Sequence, residues 1–338
     1  MVKKKNKKTY HWKTNYTISN YCTVFNIGKY AVVSKDYTTI DGTVVPIQFY
    51  VLEEDSSFAP KIIELKARDT KILEKYFGEY PWAKEKIGIA AVPNSGMEHQ
   101  TMITFQNKFN YTKIGVHDYS ANLYHEYGHE WFANKVTNKD WAHMWIQEGI
   151  TTYSEALIHY ELGGQEAYDE IISRHKRNTR NKKPMVGGEE LSEEEAYAGR
   201  DIYAKGSFFM HSLRYVLGDE IFLPTLKKLA TDPRYTYDNF VTTKDVEELF
   251  STASKQDLKP FFNFYVYTNE VLDISVKEVG YQKYQITVNN FFMPLPLDIG
   301  PADKTTRTMV GKEGIVVSSN GAPQVDPKGH YLKKITIQ

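Results

Sequence analysis

The spacing of apolar positions along the chain changes twice. Over residues 1–56 it alternates, in YCTVFNIGKYAVV and again in TVVPIQFYVL, with Asp41-Gly42 between them, which predicts short strands joined by a turn. From Phe58 the period becomes helical: Ile62, Leu65, Ile72, Leu73, Tyr76 and Phe77 share one broad face, and Gly78 and Pro81 stop it. Strands are expected again at 87–92 (IGIAAV) and 97–105 (MEHQTMITF), on either side of a turn at 93–96. Helical spacing then dominates to about Asn269, interrupted at 176–200 by a charge-dense, Gly-containing stretch that reads as a long surface loop. From Val271 strand signals return (VLDISVKEV, KYQITVNNF, LKKITI), punctuated by Gly and Pro, as in a small β-sandwich.

The pattern is that of an α+β protein in three parts: short strands at 1–56, a mainly helical unit with a small mixed sheet at 57–270, and the sandwich at 271–338. A chain of 338 residues exceeds what one hydrophobic core usually organises, which agrees with more than one domain.

Composition narrows the function. Lys+Arg and Asp+Glu both number 42, which argues against a nucleic-acid or anionic-membrane partner. No apolar run approaches the length of a membrane span. The start is basic (Lys3, Lys4, Lys5, Lys7, Lys8), but TYHWKTNYTISNYC follows it and is not an apolar core, so no signal peptide is read and localisation stays open. Cys22 is the only cysteine, so a metal site here must use histidines and carboxylates.

Such a set is present. His125-Glu126-Tyr127-Gly128-His129 is an H-E-x-x-H motif, with Asp118 or Ser120 available to cap a helix whose pattern runs on through Trp131, Phe132 and Val136. Residues four apart on a helix share a face, so both imidazoles can reach one ion while Glu126, one position on, can hold a water. After 18 intervening residues comes Glu148, at the start of a second helix that ends at Gly163-Gly164. Two histidines and a carboxylate leave a fourth position open, the arrangement of a catalytic zinc.

The run HEYGHEWFANKVTNKDWAHMWIQEGITTYSE (125–155) resembles the aminopeptidase N and leukotriene hydrolase family of zinc metallopeptidases, the gluzincins. Tyr80-Pro81-Trp82 is similar to that family's Y-P-W segment, Ser95-Gly96-Met97-Glu98-His99 to its G-x-M-E-N motif, and Tyr203-Ala204-Lys205-Gly206 to its Y-x-K-G. The resemblance implies a thermolysin-like catalytic fold, one Zn2+ held by His125, His129 and Glu148, Glu126 as general base, and Tyr203 at the oxyanion. It implies that Glu98, with Gly96 and Met97 beside it, binds the free α-ammonium of a peptide, and that Glu155 orients a ligand histidine. The expected activity is zinc-dependent aminopeptidase action on peptides with a free amino terminus.

Three positions depart from the family pattern. Ser95 stands for Gly and His99 for Asn in G-x-M-E-N, and Ala133 stands where Gly is common. The stretch 1–56 resembles only the last strands of the family's N-terminal β-domain, as in a shorter bacterial form. Two other readings use the same residues: a thermolysin-type endopeptidase, which has no need of Glu98 or Tyr203, and a catalytically silent peptide-binding relative. Oligomeric state is not legible.

Overall fold

The computed structural model describes all residues except Met1, Lys5, Asn6, Asn94, 107–110, Glu189, Ala302 and Asp303. Lys5 of the basic start and Asn94 of the turn at 93–96 therefore lie outside the described residues. The alternating segments form an antiparallel hairpin, Tyr30–Thr38 with Val44–Leu52, turning at Asp41 and Gly42. The second strand puts Val45, Ile47, Phe49 and Val51 on its buried face and less buried residues between them, the two-residue period of a half-covered sheet.

That hairpin joins a mixed sheet of four strands. Val44–Leu52 pairs in parallel with Ile87–Val92, which pairs in parallel with Ile103–Gln106. Every residue of Ile87–Val92 is buried, which is why this strand is apolar without alternation. Between the hairpin and this strand runs helix α1 (Ala59–Phe77), closed by Gly78 at φ 82°, and its Ile62, Ile63, Leu73 and Phe77 share one core with the sheet.

The expected strand at 97–105 is shorter. Only Ile103–Gln106 is a ladder strand, and Met97 folds back to bridge Thr104 in antiparallel fashion. Thr101, at φ 59°, makes the reversal, and its backbone carbonyl lies where a Cβ on Gly88 would stand, 2.2 Å away.

Seven more helices follow: α2 (Ala121–Gly128), α3 (Met144–Asn178), α4 (Glu193–Tyr197), α5 (Ala204–Leu217), α6 (Asp219–Thr231), α7 (Thr243–Ser254) and α8 (Lys259–Tyr267). Helix α2 is shorter than its apolar pattern suggested. It ends at Gly128, and the chain turns at Ala133, φ 148°, so that Trp131, Phe132 and Val136 are buried from a tight turn and not from a helix face. Helix α3 is broken at Gly164 (φ 70°), as the glycine pair predicted, but resumes to Asn178, so the loop expected from 176 starts later and contains α4. The last part forms two sheets, of four and three strands, as expected of a sandwich.

Helices α3 and α5 cross where both carry glycine. A Cβ on Gly149 would stand 2.8 Å from the Gly206 Cα, and one on Gly206 would stand 2.7 Å from the Gly149 Cα. Both glycines follow directly on chemistry-bearing segments, Glu148 and Tyr203-Ala204-Lys205. Gly149→Ala or Gly206→Ala should each destabilise the protein by about 1–3 kcal/mol through backbone overpacking, read as a lower urea midpoint with an unchanged slope. Wild-type stability in both variants would show that the crossing relaxes freely.

Candidate metal centre

His125 sits in the last turn of α2 and His129 one residue beyond its end, four positions apart on one side. Glu148 comes from the first turns of α3, which presses against α2 at Gly128, where a Cβ would meet Thr151 Cγ2 at 3.0 Å. The Nε2 atoms of the two histidines are 3.1 Å apart, and Glu148 Oε2 is 3.4 Å from His125 Nε2 and 3.3 Å from His129 Nε2.

Hydrogen bonding on the far side of each ring decides what faces inward. His129 Nδ1 is 2.9 Å from the Phe132 carbonyl oxygen and 3.1 Å from Thr151 Oγ1, and His125 Nδ1 is 3.0 Å from Glu155 Oε1. A carbonyl and a carboxylate only accept, so both Nδ1 atoms carry hydrogen and the neutral rings turn their Nε2 lone pairs toward each other. Glu148 Oε2 is buried and takes no hydrogen bond. Three lone pairs converge on one point, which is unfavourable unless a cation sits among them.

The triangle fits a metal of defined size. Tetrahedral bonds of about 2.0–2.1 Å require donor–donor edges of about 3.3–3.4 Å, and the observed edges are 3.1, 3.3 and 3.4 Å. Its electrostatics point the same way. Burial would raise Glu148, yet the two imidazoles hold it well below the usual carboxylate range. Burial would lower His125 and His129, yet the carboxylates of Glu148 and Glu155 for His125, and of Glu148 and Glu98 for His129, hold both above the ordinary range. The site thus favours a positive charge among these atoms, either a proton on a ring or a metal between neutral rings.

A second carboxylate group borders the first. Oxygens of Glu98 and Glu126 and a His129 nitrogen lie within 4.8 Å of one another. Glu126 is nearly buried, and burial pushes its carboxyl up to about 7. Its side chain lies against Gly96, where a Cβ would come within 2.4 Å of Glu126 Cγ, and its Oε1 accepts from Asn122 Nδ2 at 3.1 Å. Met97 is held by its bridge to Thr104.

Glu98 Oε1 accepts from Gln147 Nε2 at 2.6 Å and from the Tyr21 hydroxyl at 2.9 Å. Its backbone carbonyl accepts from Asn134 Nδ2. Tyr203, at the N-cap of α5, has its ring 5.9 Å from that of His125. Burial, then the Glu148 charge, keeps the Tyr203 hydroxyl protonated and hence a donor.

Four contributors were not singled out from sequence. Gln147 carries a signal only in being next to Glu148. Tyr197 donates to Glu148 Oε1 at 3.3 Å and Tyr21 reaches Glu98 from 77 residues away, and neither lies in a motif. Glu130 is buried and accepts from Trp82 Nε1 (2.6 Å), Asn134 Nδ2 (2.9 Å) and the Thr101 backbone N–H (2.9 Å). It ties the Tyr80-Pro81-Trp82 segment to the loop that presents Glu98. Among the remaining histidines, His143 faces Thr243 Oγ1 and His175 faces Ser207 Oγ, both away from the triad.

The ends of α2 and α3 thus bring paired histidines and a carboxylate together beside a buried glutamate, a group that could hold a metal ion. The chain belongs to peptidase family M1: the description "Peptidase family M1 domain" matches residues 63–265. It is 24% identical over 328 residues to tricorn protease-interacting factor F2 of Thermoplasma acidophilum, covering 90% of this chain and 40% of that protein. It is 26% identical over 269 residues to aminopeptidase N of Lactococcus lactis subsp. lactis, covering 75% of this chain and 31% of that protein. Its fold is similar to that of Legionella pneumophila aminopeptidase A crystallised with aspartic acid, with a TM-score of 0.75 at 20% identity over 92% of this chain and 39% of that one. The chain thus spans well under half the length of these proteins.

Glu155→Ala should weaken affinity for a zinc-sized dication about 10- to 100-fold, measured by competition with a chromogenic chelator, with Glu155→Gln between it and wild type. Unchanged affinity in the alanine variant would separate Glu155 from the centre.

Proposed function

We propose that this chain is the catalytic part of a zinc-dependent aminopeptidase that removes the first residue of peptides. One zinc ion per chain would be held by His125, His129 and Glu148. The observation that carries the reading is Glu98: a carboxylate held by two donors within the same cluster as Glu126 and His129.

A peptide's α-ammonium is one carbon from its first carbonyl, so a site that cuts only there needs an anion beside the reacting centre. Glu98 supplies it. Gln147 and Tyr21 occupy its Oε1, which leaves Oε2 for the ammonium and fixes the carboxylate's rotation. Gly96 and Met97 set the backbone that presents it. An endopeptidase would have to cover this charge with peptide backbone at a desolvation cost, so the geometry supports the exopeptidase reading.

Zinc, when bound, polarises the scissile carbonyl and lowers the pKa of water. Glu126, packed on Gly96 and oriented by Asn122, accepts the proton of the attacking water and passes it to the departing amine. The Tyr203 hydroxyl donates to the oxygen on which charge builds. Glu155 and Thr151 hold the rings of His125 and His129 so that Nε2 faces inward.

Glu126→Gln should retain zinc at the wild-type ratio and lower kcat by about 10²–10⁴, measured with an aminoacyl p-nitroanilide. Full activity in that variant would remove Glu126 as the base. An N-acetylated form of the same substrate should be turned over at well under a hundredth of the free-amine rate, and equal rates would sink the aminopeptidase reading. Glu98→Gln should act mainly on KM, because the ammonium is bound in ground and transition states alike.

A further inference from the structure

Beside the metal centre, an open cavity of about 440 Å³ is lined by His125, Glu155 and Tyr203 together with Arg174, His175 and Asn178 of α3. We propose that this cavity receives the leaving residue of the substrate and that the Arg174 guanidinium binds a carboxylate carried by that residue. The inference rests on the aminopeptidase reading and adds a substrate class to it.

Three observations support it. First, the cavity starts at His125 and Tyr203 and contains none of Glu98, Gln147 or Tyr21. A peptide with its ammonium on Glu98 and its first carbonyl at the triad can therefore run the part beyond the carbonyl past His125 and Tyr203 into this cavity. Second, Arg174 is exposed, and no ion pair of its own is formed among the described residues. The nearest acid in the cavity, Glu155, is buried and already gives its Oε1 to His125 Nδ1 at 3.0 Å, so it feels Arg174 only as a background charge. Third, the other cavity groups do not compete for the guanidinium: His175 is turned to Ser207 Oγ, 2.9 Å away, and Asn178 offers a neutral amide.

One residue advances a chain by about 3.3–3.6 Å, so a carboxylate carried by the leaving residue falls within a cavity that borders His125 and Tyr203 and has Arg174 in its lining. Guanidinium and carboxylate pair in a fork, which fixes orientation as well as charge. The two ends of a short substrate then meet opposite charges: ammonium at Glu98 and carboxylate at Arg174. The carboxylate has two sources, the free α-carboxylate of a dipeptide or the side chain of an acidic second residue.

The test compares Ala-Ala, Ala-Ala-amide and Ala-Asp-amide in wild type, Arg174→Met and Arg174→Lys. In wild type kcat/KM for one or both carboxylate-bearing peptides should exceed that for Ala-Ala-amide by about five- to thirtyfold, and should lose part of that margin in 1 M salt. Arg174→Met should bring the ratio close to one, and Arg174→Lys should keep part of it. A margin for Ala-Ala alone assigns the α-carboxylate, and a margin for Ala-Asp-amide alone assigns the acidic side chain. Calorimetric binding of the three peptides to the Glu126→Gln protein should rank them in the same order. No margin in wild type, or an equal margin in Arg174→Met, overturns the inference, as does a loss in Arg174→Met that is uniform across the three peptides. Cleavage of alanine p-nitroanilide separates the two failures: if it is cleaved while the peptides show no margin, only this inference falls, and if zinc-loaded protein does not cleave it, the aminopeptidase reading falls with it.

Discussion

The centre depends on how closely α3 can approach its neighbours. Glu148 meets the two imidazoles where α2 lies against α3 at Gly128, whose missing side chain leaves room for Thr151 and Ser154, and α3 in turn lies against α5 at Gly149 and Gly206, where a methyl group would overlap backbone. The same helix carries Gln147, Thr151 and Glu155, so its placement sets the amine pocket, the ring of His129 and the ring of His125 at once. Steric exclusion at the glycines is thus translated into the orientation of donors several ångströms away.

Much of this was legible in the chain, and the reason is geometric. Histidines four apart on a helix can share one ion, so the H-E-x-x-H spacing, with a glutamate 18 residues further on and the resemblance around it, picked out His125, His129 and Glu148, whose donor atoms the fold brings within 4.8 Å of one another. Gly96 is legible as a motif residue, but the cause, a general-base side chain lying on its Cα, appears only in three dimensions. Tyr21 and Tyr197 carry no sequence signal, because a lone tyrosine far along the chain reaches a carboxylate only through the tertiary fold. The end of α2 was misjudged for a related reason: Trp131, Phe132 and Val136 have helical spacing, but burial from a turn can place side chains on the same core. The break at Gly164 was visible, whereas the resumption of α3 beyond it was not, since charge-dense residues 176–178 look the same on an exposed helix face and in a loop.

Glu130 shows how far such indirect support extends. A fully buried carboxylate costs much unless donors surround it, and burial pushes this one up to about 7 despite hydrogen bonds from Asn134, Thr101 and Trp82. Its donors belong to three segments: Trp82 after α1, Thr101 in the reversal at φ 59°, and Asn134 after α2. Asn134 uses the same amide nitrogen on the backbone carbonyl of Glu98. The residue that would grip a substrate's ammonium is therefore located by a second carboxylate that never meets the substrate.

Three carboxylates thus sit close together in surroundings that push them apart chemically. Glu148, between two imidazoles, is held ionised; Glu126, on a glycine with only Asn122 as donor, is raised to about 7 by burial. Glu98 accepts through Oε1 from Gln147 and Tyr21. In the proposed mechanism a ligand must stay charged, a base must exchange its proton and an ammonium site must present an anion, and the surroundings of each carboxyl, more than the carboxyl itself, would suit it to its part. Moving any of the three side chains into another's surroundings would defeat its role, because the donors that suit one charge state penalise the other. The division of labour is therefore a property of the packing that the glycines permit, and that is why these small residues and the carboxylates recur in adjacent positions, Gly96 two before Glu98 and Gly149 one after Glu148.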